Sequence, residues 1–190
     1  MKQELERQIN ECIRIHSCML EQVDLLEKMA KVTVDCLRGG GKVIFFGNGG
    51  SAADAQHLAC ELSGRFYLDR PALPGLSLST NSSAITAIGN DYGFEHIFSR
   101  QLLGIGSRGD IAFAISTSGE SPNVIEAIKL AKQTRMTTFS MTGRDGGELA
   151  KMVDFSLRVD SEESPRIQEA HITAGHIICQ LVEKEMFGDR

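Results

Sequence analysis

The sequence predicts an α/β fold, a three-layer sandwich with a mainly parallel five-stranded sheet flanked by helices and preceded by an N-terminal helical arm. Three observations predict it. Short apolar, β-rich runs alternate with longer stretches of helical period, as in successive βα units joined by right-handed crossovers. Two of these runs, Lys42 to Phe46 and Asp110 to Ile115, are apolar enough for strands buried on both faces. Each passes through a glycine- or serine-rich turn straight into a helix start. In such a sheet ligands sit beyond the carboxyl ends of the strands, where both turns lie.

Residues 2 to 38 carry helical periodicity with no internal glycine or proline. Leu5, Ile9, Cys12, Ile13, Met19, Leu20, Val23, Leu26, Met29, Val32 and Leu37 recur at three- and four-residue steps. One long helix and two shorter ones both fit. Gly39-Gly40-Gly41 stops the helix and frees the chain to enter the first strand. An apolar stripe left over after one sheet face is covered would pack on another subunit; an ordinary covering helix is the other reading.

After the first strand, Gly47-Asn48-Gly49-Gly50 turns the chain, and its glycines take backbone angles closed to other residues. Ser51 is expected to cap the helix that follows, with Asp54 three positions on in a capping-box-like place. Arg65 to Pro74 reads as a loop, Gly75 to Ser79 as a short strand and Asn81 to Ile88 as a helix. Gly89 to Gly93 is a turn cluster, with helix from Phe94 to about Gly104. The strand ending at Ile115 repeats the opening pattern through Ser116-Thr117-Ser118-Gly119-Glu120. Ser121 as N-cap and Pro122 at the first helical position then start a helix to about Arg135. A strand over Thr137 to Met141 leads into Thr142 to Gly147 and a short helix; a strand over Phe155 to Val159 precedes a last helix from about Ser164 to Phe187.

At 190 residues, a single domain with a sizeable core is expected. A formal net charge of −5 argues against nucleic acid as a partner, since a general binder would carry a basic stripe. An anionic ligand must then be held by local dipoles, hydroxyls and single cations. The five cysteines (Cys12, Cys18, Cys36, Cys60, Cys179) form no C-x-x-C pair and read as reduced packing residues of a cytoplasmic protein. Lys2 to Arg7 is charged and lacks an apolar core, so no secretion signal is expected. No apolar run approaches the ~20 residues of a membrane span.

Strand, glycine turn and helix N-terminus together form an anion site, because orphan N–H groups and the helix dipole both favour negative charge. The turn matches neither G-x-G-x-x-G nor the P-loop, which counts against NAD and ATP. The second turn has more hydroxyls than turn geometry requires, which suits phosphate or sugar hydroxyls. His57 and Glu61, four residues apart, share a helix face about one turn past the anion site, although exposed helix faces carry such pairs too. In the last helix Gln168 and His176 are eight apart, roughly 80° around the axis, and can border one cleft. The rest of that helix is apolar (Ile167, Ile172, Ile177, Ile178, Leu181, Val182), so polar groups on its inner side need partners. A satisfied core histidine is the alternative for His176, and His171 competes for its role; His16 and His96 read as structural. His57, Glu61, Gln168 and His176 are candidates for a mixed N/O site for a zinc-like ion. A phosphate cradle beside such a cluster points to chemistry on a phosphorylated small molecule.

The turns Gly47-Asn48-Gly49-Gly50-Ser51 and Ile115-Ser116-Thr117-Ser118-Gly119, on this strand order, resemble the sugar isomerase (SIS) domain family. The likeness is nearest to the branch acting on seven-carbon sugar phosphates. It is carried by Gly47 to Arg65, Ala87 to Arg100, Ile115 to Val124, Thr142 to Gly147 and Arg166 through Glu185, nearly the whole chain. It implies one SIS domain over residues 1–190, and isomerisation of sedoheptulose 7-phosphate to D-glycero-D-manno-heptose 7-phosphate on the way to nucleotide-activated heptose for lipopolysaccharide or capsule. By the same resemblance Asn48, Gly49, Gly50, Ser51, Glu61, Asn90, Asp91 and Gln168 line the substrate site, and Ser116, Thr117, Ser118 and Ser121 hold its phosphate end. His57, Glu61, Gln168 and His176 match the zinc ligands, one ion per subunit, with Glu61 and His176 as the proton-transfer pair. Family members form homotetramers with active sites at subunit contacts, in line with an unpaired stripe on residues 1–38. Many relatives carry an acidic residue just before Arg-Ile-Gln; here it is Pro165, so no substrate contact is expected from that position. The rival readings are a non-catalytic SIS sensor or replication-initiator adaptor, which would not need all four metal-site residues, and an aminosugar-phosphate isomerase, usually a longer chain.

Overall fold

The computed structural model describes residues 1–188. All five strands are parallel: β1 (Val43–Gly47), β2 (Gly75–Ser77), β3 (Ile111–Ser116), β4 (Thr137–Gly143) and β5 (Phe155–Val159), in the order β2-β1-β3-β4-β5. The chain reverses its direction of travel across the sheet between β1 and β3, where Gly47 pairs with Ile115. That juxtaposes the two turns foreseen from the sequence.

Among the described residues there are eight α-helices, which flank the sheet or pack on helices that do: α1 (Lys2–Cys18), α2 (Val23–Arg38), α3 (Gly50–Ser63), α4 (Ser82–Tyr92), α5 (Ile97–Ile105), α6 (Pro122–Gln133), α7 (Gly147–Met152) and α8 (Ser164–Phe187). Every residue of β1 and β3 is buried, as strands covered on both faces demand. Side chains alternate between two cores. Val43, Phe45, Ile111 and Phe113 face α2, α3 and α8, whereas Ile44, Phe46, Ala112 and Ala114 face α5, α6 and α7. On the first face Phe45, Phe113, Phe139 and Phe155 form a row of rings across four strands, with centroids 5.1, 5.4 and 5.3 Å apart. Each such pair is worth about 0.5–1.5 kcal/mol beyond its buried area, which stiffens the centre of the sheet.

The N-terminal region forms two helices, α1 and α2, joined by a single 3₁₀ turn over Met19–Gln22. At the joint the Gln22 amide pairs with edge strand β5: its Nε2 donates to Arg158 O (2.7 Å) and its Oε1 accepts from Arg158 N (3.1 Å). The side chain thus occupies ladder positions that a sixth strand would fill.

Four expectations are corrected. Ser51 is not the cap of α3: the N-cap is Gly49, with φ 56°, and Ser51 is buried inside the first turn. The path from β1 into α3 requires a positive φ that glycine takes freely, so the cap falls two residues early. Asp54 does not close a capping box, since its Oδ2 is buried without a partner. Gly89 to Tyr92 is not a turn but the end of α4, capped at its start by Asn81 Oδ1 and stopped at Gly93, with φ 95°. Asn and Gly fit a last helical turn as well as a loop, and the positive φ lies one step later. β2 is also shorter than expected, ending at Ser77, and all five cysteines are free, with Cys60 exposed and Cys179 buried.

Candidate active site

Since no side chain caps α3, its first amides, those of Gly50 and Ser51, are left for a ligand at the carboxyl end of β1. The turn before it is braced from β3's side. Asn48 Nδ2 donates to Asn123 Oδ1 (2.8 Å) and Asn123 Nδ2 donates back to Asn48 Oδ1 (2.9 Å), so the glycine turn is bolted to the first turn of α6. Asn123 was not foreseen; the available signal was a polar residue on the otherwise apolar inner face of α6, where it is buried.

The second turn is shaped by its own hydroxyls. Ser116 Oγ lies 3.1 Å from Ser121 Oγ and accepts from Gly119 N (3.2 Å), while Ser118 Oγ accepts from Glu120 N (3.1 Å). Ser121 is the N-cap of α6 with Pro122 at the first position, as expected, but its hydroxyl turns to Ser116 rather than capping the helix. Thr117 O accepts from Gly143 N (3.0 Å), joining this turn to the one after β4.

Helices α3 and α8 run side by side in the same direction, and glycine at their crossing sets the distance. A side chain on Gly175 would place its Cβ 2.5 Å from Leu58 Cδ2, so Leu58 packs directly on the α8 backbone. One residue along each helix, His57 and His176 meet with their Nε2 atoms 2.9 Å apart. His57 Nε2 is also 3.2 Å from Glu61 Oε1, and ligand atoms of all three residues lie within 4.8 Å of one another. Glu61 is mostly covered and His57 half-exposed, so the cluster opens outward. Two imidazole nitrogens and one carboxylate are a donor set that suits a zinc-type ion.

Gln168 stands elsewhere on the same seam. A Cβ on Gly50 would fall 2.3 Å from its Nε2, which puts the amide against the glycine turn. Its backbone position lies about 12 Å along the α8 axis from that of His176, on the same seam. Asn90 and Asp91 sit exposed in the last turn of α4, with Asn90 Nδ2 donating to Asp91 Oδ1 (2.8 Å).

His171, the competitor for His176, is fully buried, with neither ring nitrogen hydrogen-bonded. Burial pushes it down to about 4. It belongs to the core. Asp54, one turn before His57 on α3, is pushed up by burial to about 6, against the pull of His57. His16 is structural as read, with its Nε2 3.1 Å from Thr173 Oγ1.

A parallel sheet with a switch point between β1 and β3, an uncapped helix start, a hydroxyl-rich turn and a histidine–carboxylate cluster define a class of sugar-phosphate site. Comparison with known proteins agrees. Residues 9–143 match the family described as SIS domain. A phosphoheptose isomerase of Sulfurimonas denitrificans is 52% identical over 192 residues, spanning 100% of this chain and 98% of that protein. Among solved structures, a phosphoheptose isomerase from Neisseria gonorrhoeae superposes with a TM-score of 0.91 at 41% identity, covering 96% of this chain and 98% of that one. One from Francisella tularensis gives 0.93 at 34% identity, covering 96% and 97%. The chain belongs to the SIS domain family, in its phosphoheptose isomerase branch, and is an isomerase. Among the described residues no helix is long and apolar enough to cross a membrane.

Proposed function

We propose that this enzyme interconverts sedoheptulose 7-phosphate and D-glycero-D-manno-heptose 7-phosphate at a site built on His57, Glu61 and His176. The observation that carries the reading is the meeting of those three side chains on the seam between α3 and α8, the helix that opens at the glycine turn and the C-terminal helix. Residues 1–190 act as one SIS domain in the cytoplasm. Residues 1–38 contribute the packing face of a homotetramer, supported by Leu5, Ile9 and Ile13 on the outer face of α1.

Ser116, Thr117, Ser118 and Ser121 bind the phosphate end of the substrate, and the amides of Gly49, Gly50 and Ser51 with Asn48, Asn90, Asp91 and Gln168 orient the sugar. Moving a proton between C1 and C2 requires a base at one carbon and an acid at the neighbouring oxygen. Glu61 and His176 divide these tasks. The His57 imidazole, 3.2 Å from Glu61, holds the carboxylate in place. A zinc-type ion held by His57, Glu61 and His176 would polarise the carbonyl and stabilise the developing oxyanion. Coordination lowers the basicity of a carboxylate and of an imidazole alike, so which of Glu61 and His176 takes the first proton depends on which of them the ion holds less tightly. Gln168, set against Gly50 on the same seam, would complete the ligand set as its fourth donor.

The test is incubation with sedoheptulose 7-phosphate in D₂O, followed by NMR, with and without a chelator. The expected product is the aldose carrying deuterium at C2, with turnover falling on chelation and returning with zinc. Aldose without deuterium would exclude an enediol exchanging with solvent; no aldose would exclude the substrate.

A further inference from the structure

Toward the C-terminal ends of α3 and α8 lies the most buried ion pair among the described residues. The side chains of Arg70 and Glu183 are 2% and 3% exposed, with Nε donating to Oε1 at 3.0 Å. Every oxygen of Glu183 is occupied. Oε1 also accepts from Phe66 N (3.1 Å), and Oε2 accepts from Tyr67 N (2.7 Å) and Leu68 N (3.0 Å). Burial pushes the Glu183 carboxyl up, but the amides of Tyr67, Leu68 and Phe66, with Arg70, outweigh it and leave the group below its usual range. Arg70 in turn closes the end of α3: Nη2 donates to Glu61 O (2.8 Å), and Nη1 donates to Leu62 O (2.7 Å), Gly64 O (3.0 Å) and Pro71 O (3.2 Å).

The pair therefore touches the site from both sides. It holds the backbone carbonyl of Glu61 itself, fixing the turn that presents the carboxylate. It also holds the amide of Phe66, whose ring lies 5.8 Å from the His176 ring, centroid to centroid. Glu183 lies seven residues after His176 on α8, close to the same helix face two turns on. A buried ion pair is rarely the cheapest way to stabilise a fold, because desolvation offsets much of the attraction. What this one supplies is direction: seven backbone groups are fixed by two planar, forked groups that tolerate little displacement.

We propose that Arg70 and Glu183 are positioning residues for the isomerisation, clamping the loop after α3 and the last turn of α3 onto α8 so that Glu61 and His176 face the same substrate carbons. The inference rests on the reading of Glu61 and His176 as the working pair.

The experiment uses Arg70→Lys and Glu183→Gln in the full chain, with Glu61→Gln as a control. Amide hydrogen exchange at Phe66, Tyr67 and Leu68 reads the clamp without reference to activity, and steady-state kinetics reads its effect on the site. In both variants the three amides should exchange faster. Turnover should fall about 10- to 100-fold, as a misplacement near 1 Å does, with KM held within about threefold because the phosphate turns are untouched. The double variant should be no worse than the poorer single one. Faster exchange with unchanged turnover would overturn the inference, as would unchanged exchange, or turnover and KM that move only with the fraction folded. Should one variant fail to fold, the other decides. Full activity in Glu61→Gln would instead refute the roles given to the working pair and leave the exchange result standing by itself.

Discussion

His57 and His176, 119 positions apart in the chain, bring their Nε2 atoms to 2.9 Å. Two neutral imidazoles can meet this way only if one donates its proton to the other. When both serve as ligands through Nε2, that hydrogen moves to Nδ1, and any imidazolium or carboxylic acid in the cluster must give up its proton to the solution. Zinc binding should therefore release more protons, and weaken, as the solution is acidified. Isothermal titration in two buffers of different ionisation enthalpy measures the proton count. Zinc affinity independent of pH would show that the imidazoles do not hold the ion.

Glu61→Gln keeps the shape of the side chain but removes its basicity. Turnover should drop about 10²- to 10⁴-fold, the contribution typical of a positioned acid or base, while sugar phosphate binding survives. Turnover near that of the unaltered enzyme would refute the assignment.

Gly175→Ala tests the crossing of α3 and α8. The new methyl would meet Leu58 at 2.5 Å, so the helices must separate or Leu58 must move. Overpacking of this kind costs about 1–3 kcal/mol. The midpoint of urea unfolding should fall accordingly, and zinc affinity should fall with it as the histidines part.

His171 makes stability depend on pH. Its folded value, about 4, lies below the ordinary 6.5, so the fold favours the neutral ring. The contribution is complete above pH 6.5 and is lost as pH falls toward 4, amounting to about 2 kcal/mol between pH 7.5 and 5. Asp54 works the other way, since its value raised to about 6 makes the fold favour its protonated form, a contribution present at low pH and lost as pH rises through 6. Urea unfolding of His171→Leu beside the unaltered protein isolates the first effect. The substitution should flatten the acid side of the stability profile; identical slopes would reject the account.

Leu5, Ile9 and Ile13 are 59%, 60% and 58% exposed along one side of α1. If the proposed tetramer packs on this face, replacing all three by Glu should dissociate it, read as a drop in mass by light scattering after gel filtration. If the unaltered protein is already a monomer, the face has another use.

Much of this was legible in the residues. The strands β1 and β3 are written as apolar runs, and α8 was placed at Ser164 to Phe187 because a proline near its start and an unbroken apolar period mark it. Ser51 suggests a cap because hydroxyl side chains at a helix start usually cap, and nothing local reveals that the chain arrives with the backbone angle of Gly49. Arg70 and Glu183 were not singled out: each is an ordinary charged residue until the loop folds over α8 and both lose water.

By itself the sequence determined the kind of architecture and the two turns, because hydrophobic period and glycine chemistry act over a few neighbouring residues. Only the tertiary structure decided which histidine faces the seam and which is sealed in the core. His171 and His176 lie on one helix with similar neighbours, and their difference arises from what packs against each face. It likewise set the Gln168 amide against Gly50, a contact between α8 and the start of α3 that no spacing along the chain encodes.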